Sequence, residues 1–316
     1  MAKPSPDSAP PPRLLALELW GLGDLALALP FLQTATTHAQ VTLLAKPQAA
    51  PLLAHFAPAV ELVPLIAPWT AFSGKYRLLH WPWRELRRTV AELRRRRFDL
   101  GVSARPDPRD HLLLALAGAR RRFGFPRAGS RPLLHAALPR PTPPHRAAHW
   151  AALARELGWP LAATAPRRPD PAGRHLVIHA GAGHPVRLWP RERYDALATR
   201  LRAAGWRVTF LPDTGGDLPQ LLVTLASADR FLGNDSGPGH LAALLGVPTF
   251  TIFGPQLPEL FAPQHPAAAW IEGAPCPHKP CFDACRFAAP HCIQSLGMDA
   301  VWPRVESWLT PAGRTD

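Results

Sequence analysis

Short apolar runs recur along the chain, each followed by a turn and a longer amphipathic stretch. Leu14–Leu19 is the first run and predicts a strand. It is followed by the turn Trp20-Gly21-Leu22-Gly23-Asp24 and a helix from about Leu25 to Thr34. The alternation continues with strand Val41–Ala45, a short helix, strand Val60–Pro64, a long arginine-rich helix Trp83–Phe98 and strand Leu100–Ala104. A helix over His145–Leu157 ends at Gly158. Residues 159–174, rich in proline and arginine, read as a linker. A second series then begins: strand His175–His179, helix Pro190–Ala204, strand Arg207–Leu211, helix Leu218–Ala226, strand Arg230–Gly233, helix Pro238–Leu245 and strand Thr249–Phe253. Strands alternating with helices at this spacing predict parallel sheets built from βα units. Two such series predict two α/β domains with a site in the cleft that they face. The boundaries that follow are a disordered tail over 1–12, an N-terminal domain over 13–160, a C-terminal domain over 174–298, and a helix over 299–311 packing back on the N-terminal domain.

Composition changes this picture little. A chain of 316 residues, 47% of them hydrophobic, is long enough to bury two cores. The leucine- and alanine-rich stretch Leu14–Leu32 could pass for a signal peptide, but Glu18, Asp24, the Gly21/Gly23 pair and Pro30 break it. No uncharged apolar run of about 18 residues predicts a membrane span, so the expected location is the cytoplasm, with contact at a membrane surface allowed. Charge is more informative. Up to residue 150 there are 21 Lys and Arg against 9 acids, net +12; beyond it there are 15 against 14, net +1. The excess lies at Arg87/Arg88, Arg94 to Arg97, Arg120 to Arg122, Arg127 and Arg131, and favours a polyanionic partner. A solvated helix face is the plainer explanation. Nucleic acid is the partner class least supported, because no helix-turn-helix, zinc-finger or RNP-type motif is recognisable.

Three clusters could carry chemistry. Gly21-Leu22-Gly23-Asp24 joins a strand to a helix, where exposed amides stabilise an anion; Asp24 there could equally be a helix cap. The second, His179 to Pro190, places the small residues Gly181 and Gly183 before Arg187, whose fork of donors suits phosphate. The third, Gly233-Asn234-Asp235-Ser236-Gly237-Pro238-Gly239-His240, brings a strand end, a polar turn and a helix N-terminus together, with His240 one turn in.

At these clusters the sequence resembles the ADP-heptose:lipopolysaccharide heptosyltransferases, glycosyltransferase family 9. Leu22-Gly23-Asp24, the stretch Ala180–Pro190, the block Gly233–Ala243, and then Gly246–Thr249 and Phe253–Pro255 match the family's motifs in order. The resemblance implies a GT-B fold of two Rossmann-like parallel-sheet domains facing a central cleft. It implies an inverting, metal-independent transfer of a heptose from a nucleotide sugar, ADP-heptose, to a lipopolysaccharide core or other anionic glycolipid acceptor at the inner membrane surface. Asp24 would be the general base. Arg187, Asn234, Asp235, Ser236, Gly237 and His240 would bind donor and phosphate, and Gly21, Gly23, Gly181 and Gly183 would shape the loops. No cofactor is implied. Arg187 departs from the lysine usual in the family, and the segment over 212–217 is shorter than usual. A different nucleotide-sugar donor, or a GT-B-shaped epimerase or sugar-nucleotide binder without transfer, are therefore the alternatives.

All four cysteines, Cys276, Cys281, Cys285 and Cys292, fall in one C-x4-C-x3-C-x6-C stretch. They read as free or buried thiols, with a soft metal as the alternative. Trp69, Trp81 and Trp83, with Arg84, Arg87 and Arg88, read as core packing or as an acceptor surface.

Overall fold

The computed structural model describes residues 10–71, 77–161, 173–213, 217–281 and 284–310. Most of the expected tail and linker lie outside them. The chain divides into two units, residues 1–142 with 147–162, and residues 143–146 with 163–316.

In the first unit the order is β1 (Arg13–Glu18), α1 (Leu22–Thr36), β2 (Gln40–Ala45), α2 (Ala50–Phe56), β3 (Glu61–Pro64), α3 (Trp83–Arg95), β4 (Leu100–Ser103), α4 (Pro108–Leu116), β5 (Arg121–Gly124), β6 (Ala136–Ala137) and α5 (Arg146–Glu156). The strands form a parallel sheet in the order β3-β2-β1-β4-β5-β6. From Leu14 to Glu18 every residue of β1 is buried, because a central parallel strand is covered on both faces and alternation is lost. Leu15, Leu17, Leu44, Val63, Trp69, Leu86, Leu93, Phe98 and Leu114 make up much of one core cluster.

The second unit follows with β7 (His175–His179), α6 (Arg191–Ala203), β8 (Arg207–Phe210), α7 (Leu218–Ala226), β9 (Arg230–Asn234), α8 (Gly237–Leu244), β10 (Thr249–Phe253), α9 (Pro258–Phe261), β11 (Ala269–Glu272), α10 (His291–Gln294) and α11 (Met298–Leu309). Its parallel sheet runs β11-β10-β9-β7-β8. The final helix corrects one expectation. Val301 and Val305 of α11 are fully buried with Leu176, Ile252 and Tyr194, so this helix belongs to the core of the second unit. Its apolar positions satisfy themselves on α6 and β11, the elements it touches.

Each sheet reverses its order once. In the first unit the chain leaves β1 toward β2 and returns to β4 on the other side; in the second it leaves β7 toward β8 and returns to β9. Loops diverge at such a switch point, which leaves a crevice beyond the carboxyl ends of the strands. The first motif follows β1, and the second and third follow β7 and β9.

The basic N-terminal residues divide into two groups. Arg96 is bound to Glu61 at 2.6 Å and Glu92 at 2.7 Å. Arg122 gives its guanidinium to the carbonyls of Leu133 and Ala119. These two are struts of the fold rather than part of a free charged face. Arg84, Arg87, Arg88, Arg94 and Arg95 of α3 are exposed.

Candidate active site

In the first unit Gly21 is the N-cap of α1, extended at φ −87° and ψ 172°, with no side-chain cap. Asp24 stands three positions further on, and its carboxylate takes a charge-assisted bond from Arg105 Nη2 at 2.5 Å. The capping explanation of Asp24 is thereby removed. Arg105 comes from the connection after β4, on the far side of the switch point, and its guanidinium lies 4.3 Å from the Trp20 ring centroid. Both partners are mostly buried, so the pair is held in place rather than tumbling in solvent.

Further ionisable groups surround this pair. Glu18, the last residue of β1, is 4% exposed and accepts from the Trp20 amide at 3.2 Å. Burial, joined by the negative charge of Asp24 and opposed by Arg105, raises its pKa to about 8. Asp110 on α4 is raised to about 7, chiefly by burial and then by Asp107, while bonds from Trp69 Nε1 and Ser103 Oγ, each 3.2 Å, oppose the rise. Lys46, just beyond β2, is lowered by burial against the pull of Asp24 and Glu18. At neutral pH the first switch point therefore holds a mostly protonated Glu18 and a half-protonated Asp110 beside the Asp24–Arg105 salt bridge.

Sequence reasoning picked out Asp24 alone from this group. Glu18 entered only as an interruption of an apolar run. The charged strand–helix connection from Ser103 to Asp110 was a usable signal: Asp107 caps α4 by accepting from Arg109 N, and Arg105 is the partner of Asp24.

In the second unit the turn after β9 packs against the turn after β7. Ser236 is the N-cap of α8 in extended conformation, and its hydroxyl meets His179 Nδ1 at 3.0 Å instead of capping the helix. Burial holds His179 below the ordinary imidazole value, with Asp213 acting the other way. Gly237 opens α8, so its amide has no partner within the helix and points along the helix dipole toward the turn. Pro238 supplies no amide. Arg187, from the 3-10 turn Pro185–Arg187, meets Asp235 at 3.1 Å. His240 is buried one turn into α8. Gly181 is required by close approach, because a Cβ there would run into the Asp213 carbonyl; Gly183 has open space around it and carries no such requirement.

Asn234 has a different part from the one its motif suggested. It is 1% exposed, and its Oδ1 accepts from Trp189 N at 3.1 Å and Tyr194 OH at 2.8 Å. Its Nδ2 donates to Ala180 O at 2.7 Å and Gly181 O at 3.3 Å. With both oxygen lone pairs and both N–H groups engaged, it ties the two turns together and has nothing left for a ligand.

The cysteines line one small cavity with His278, Lys279, Phe287 and His291. Cys292 is buried and its thiol is pushed up by burial, with Cys276 and Cys281 adding to the rise. Among the described residues no group of three His, Cys, Asp or Glu side chains converges as metal ligands. A larger cavity of about 610 Å³ opens at the amino ends of β1 and β2, among Arg13, His38, Gln40 and Glu61; no motif residue lines it.

The two parallel sheets define a chain of two Rossmann-like units, the GT-B fold class. Solved structures of that class align over nearly the whole chain. A glycosyl transferase family 9 structure from Veillonella parvula DSM 2008 matches with TM-score 0.72 at 16% identity, covering 96% of this chain and 98% of that one. E. coli ADP-heptose lps heptosyltransferase II matches with TM-score 0.68 at 20% identity, covering 94% and 98%. An E. coli heptosyltransferase solved with ADP gives 0.69 at 19%, covering 94% and 99%. In sequence, residues 212–290 match the model of Glycosyltransferase family 9 (heptosyltransferase), a stretch that contains the turn at Gly233–His240. Lipopolysaccharide heptosyltransferase 1 of Pseudomonas aeruginosa is 32% identical over 111 residues, which are 28% of this chain and 31% of that protein's length. The matches in sequence fall in part of the chain, 212–290 for the family model, and the solved structures share the fold over nearly all of it.

Proposed function

We propose that the protein is an inverting, metal-independent glycosyltransferase that moves a heptose from ADP-heptose to an anionic glycolipid acceptor of the lipopolysaccharide core type. The observation that carries this reading is Asp24, a carboxylate that caps nothing and is oriented by Arg105, on a chain whose other unit presents a helix N-terminus flanked by Arg187 and His240.

In this reading Asp24 takes the proton of an acceptor hydroxyl as its oxygen attacks the anomeric carbon of the donor. The bond from that carbon to the diphosphate breaks, the configuration inverts, and ADP leaves. The charge that develops on the diphosphate is met by the Gly237 amide, the α8 dipole, the Ser236 hydroxyl, Arg187 and His240, groups fixed before the reaction begins. No metal is needed where cations and a helix N-terminus are already in place. In this reading Asp235, held by Arg187, contacts the donor sugar. Two of the relatives in the comparison are named for ADP-heptose or were solved with ADP, which supports that donor. The acceptor follows from the family alone, and so does work at the inner face of the membrane.

The test is a titration of the protein with ADP, UDP and GDP, repeated on His240→Ala, followed by turnover of ADP-heptose by Asp24→Asn. Selective ADP binding that His240→Ala abolishes, with turnover reduced about 10²–10⁴-fold in Asp24→Asn, is the expected result. UDP or GDP selectivity would discard heptose as the transferred sugar, and unimpaired turnover in Asp24→Asn would remove Asp24 as the base.

A further inference from the structure

An apolar corner of the first unit stands out of the fold just before α3. Leu79 is 94% exposed, Leu78 54% and Trp83 47%. Leu78 and Leu79 sit in a 3-10 turn over Leu78–His80, and Trp83 Nε1 donates to Leu78 O at 2.8 Å, so the three side chains belong to one fixed surface. Trp83 also touches Trp81, with ring centroids 5.3 Å apart, and Trp81 in turn meets the buried Trp69 at 5.5 Å. The corner is thus anchored to the core by an aromatic ladder. Three large apolar side chains exposed together are not explained by folding, since each would gain by burial.

The helix that follows shows a matching separation of charge. At about 100° per residue, with Trp83 as the origin, Arg84, Arg87, Arg88, Arg94 and Arg95 fall in an arc from about 20° to 140°. Leu86, Thr89 and Leu93 are buried at about 240° to 300°, and Glu85 and Glu92 lie between the two groups at about 180° to 200°. The arginine arc therefore adjoins the apolar corner, and the acids are turned away from it. Among the described residues none of these five arginines forms an ion pair, whereas Arg96 on the same segment forms two. Among the described residues no acidic partner takes up these five charges.

We propose that Leu78, Leu79 and Trp83, with the arginine arc of α3, form a docking surface for an anionic lipid bilayer. An apolar edge that enters the headgroup region beside a row of cations is how an interfacial helix holds such a surface, and the unpaired positive charge is what a neutral or protein-like partner would not require. The inference deepens the glycolipid reading above by naming the face that meets the membrane. The docking itself does not depend on catalysis.

The experiment is sedimentation of the full chain with vesicles of phosphatidylcholine alone and of phosphatidylcholine mixed with phosphatidylglycerol. Two variants are compared, Leu78→Ser/Leu79→Ser and Arg84→Gln/Arg87→Gln/Arg88→Gln, with circular dichroism melts to show that both stay folded. All these positions are exposed, so both variants are expected to melt as the parent does. The parent should bind the mixed vesicles and release them as salt rises. Each arginine near the surface is worth a factor of about five, so the triple variant should bind about 100-fold more weakly. The leucine variant should lose about tenfold or more per side chain, with little change in salt dependence. Equal binding of the parent to both vesicle types would overturn the proposal, as would variants that bind like the parent. Tight binding to duplex DNA with no effect of Leu78→Ser/Leu79→Ser on vesicle binding would make the surface a general polyanion site and end the lipid assignment. Failure of ADP to bind would count against the transferase reading alone, because vesicle binding is read without substrate.

Discussion

Replacing Glu18 by Gln tests the electrostatics of the first switch point directly. Glutamine keeps an oxygen to accept the Trp20 amide and has nearly the same volume, so only the ionisable proton is lost. The sign follows from linkage. Glu18 is raised from 4.5 to about 8 in the folded chain, by burial first and by Asp24 second. Below pH 4.5 both folded and unfolded chains hold the proton, and the group contributes no pH dependence. Between pH 4.5 and 8 the unfolded chain gives it up while the folded chain keeps it, so stability falls as pH rises, by about 1.4 kcal/mol per unit. At pH 7 the loss is about 3 kcal/mol, large against the few kcal/mol that separate folded from unfolded. Urea midpoints of parent and Glu18→Gln, measured side by side from pH 5 to 8, isolate this group because the other titrating groups are common to both. The variant should gain steadily on the parent as pH rises. Parallel curves would refute the reasoning and show that Glu18 ionises in the folded state at an ordinary pH.

Other outcomes follow from the same geometry. Asn234→Ala removes four hydrogen bonds and leaves buried partners unsatisfied, so it should destabilise the protein by about 3 kcal/mol, seen as a lower melting temperature without any ligand present. Gly181→Ala drives a methyl group into the Asp213 carbonyl and should cost about 1–3 kcal/mol, with ADP affinity falling too because the turn bearing His179 must shift; Gly183→Ala should leave both melting and affinity unchanged. Arg105→Gln frees the Asp24 carboxylate from its partner and should lower kcat more than the KM for donor, as measured by steady-state turnover of ADP-heptose.

Much of this architecture was legible because parallel strands covered on both faces must be apolar runs, as β7 and β10 are, and the sequence range for each coincides with the strand observed. The strands that escaped lack that property. β5 reads Arg-Arg-Phe-Gly, a charge run by composition, and it is a strand because Arg122 spends its guanidinium on backbone carbonyls. β6 has two residues, and β11 alternates half-buried with exposed positions at the sheet edge. At the sites, motifs located the turns but could not say what each polar group does once folded. Asn234 looked like a ligand-binding residue because it stands among them, and only its four partners reveal a strut. Arg105 stands 81 residues from Asp24, so their meeting depends on the β1–β4 pairing, which local pattern does not encode, while Glu18 is only six residues away and its burial was hidden by its place at the end of an apolar strand.

Strand order also bears on how such a chain can diverge. Among the described strands β8 closes one border of its sheet, paired with β7, and residues 211–217 connect it to α7. Material trimmed from a border removes no interior ladder and opens no hole in the core, so selection can lengthen or shorten that connection at small structural risk. The turns after β7 and β9 enjoy no such latitude, since Asn234 stitches one to the other. Substrate preference in chains of this build is therefore expected to drift from the border inward, with the turn after β9 the last part to change.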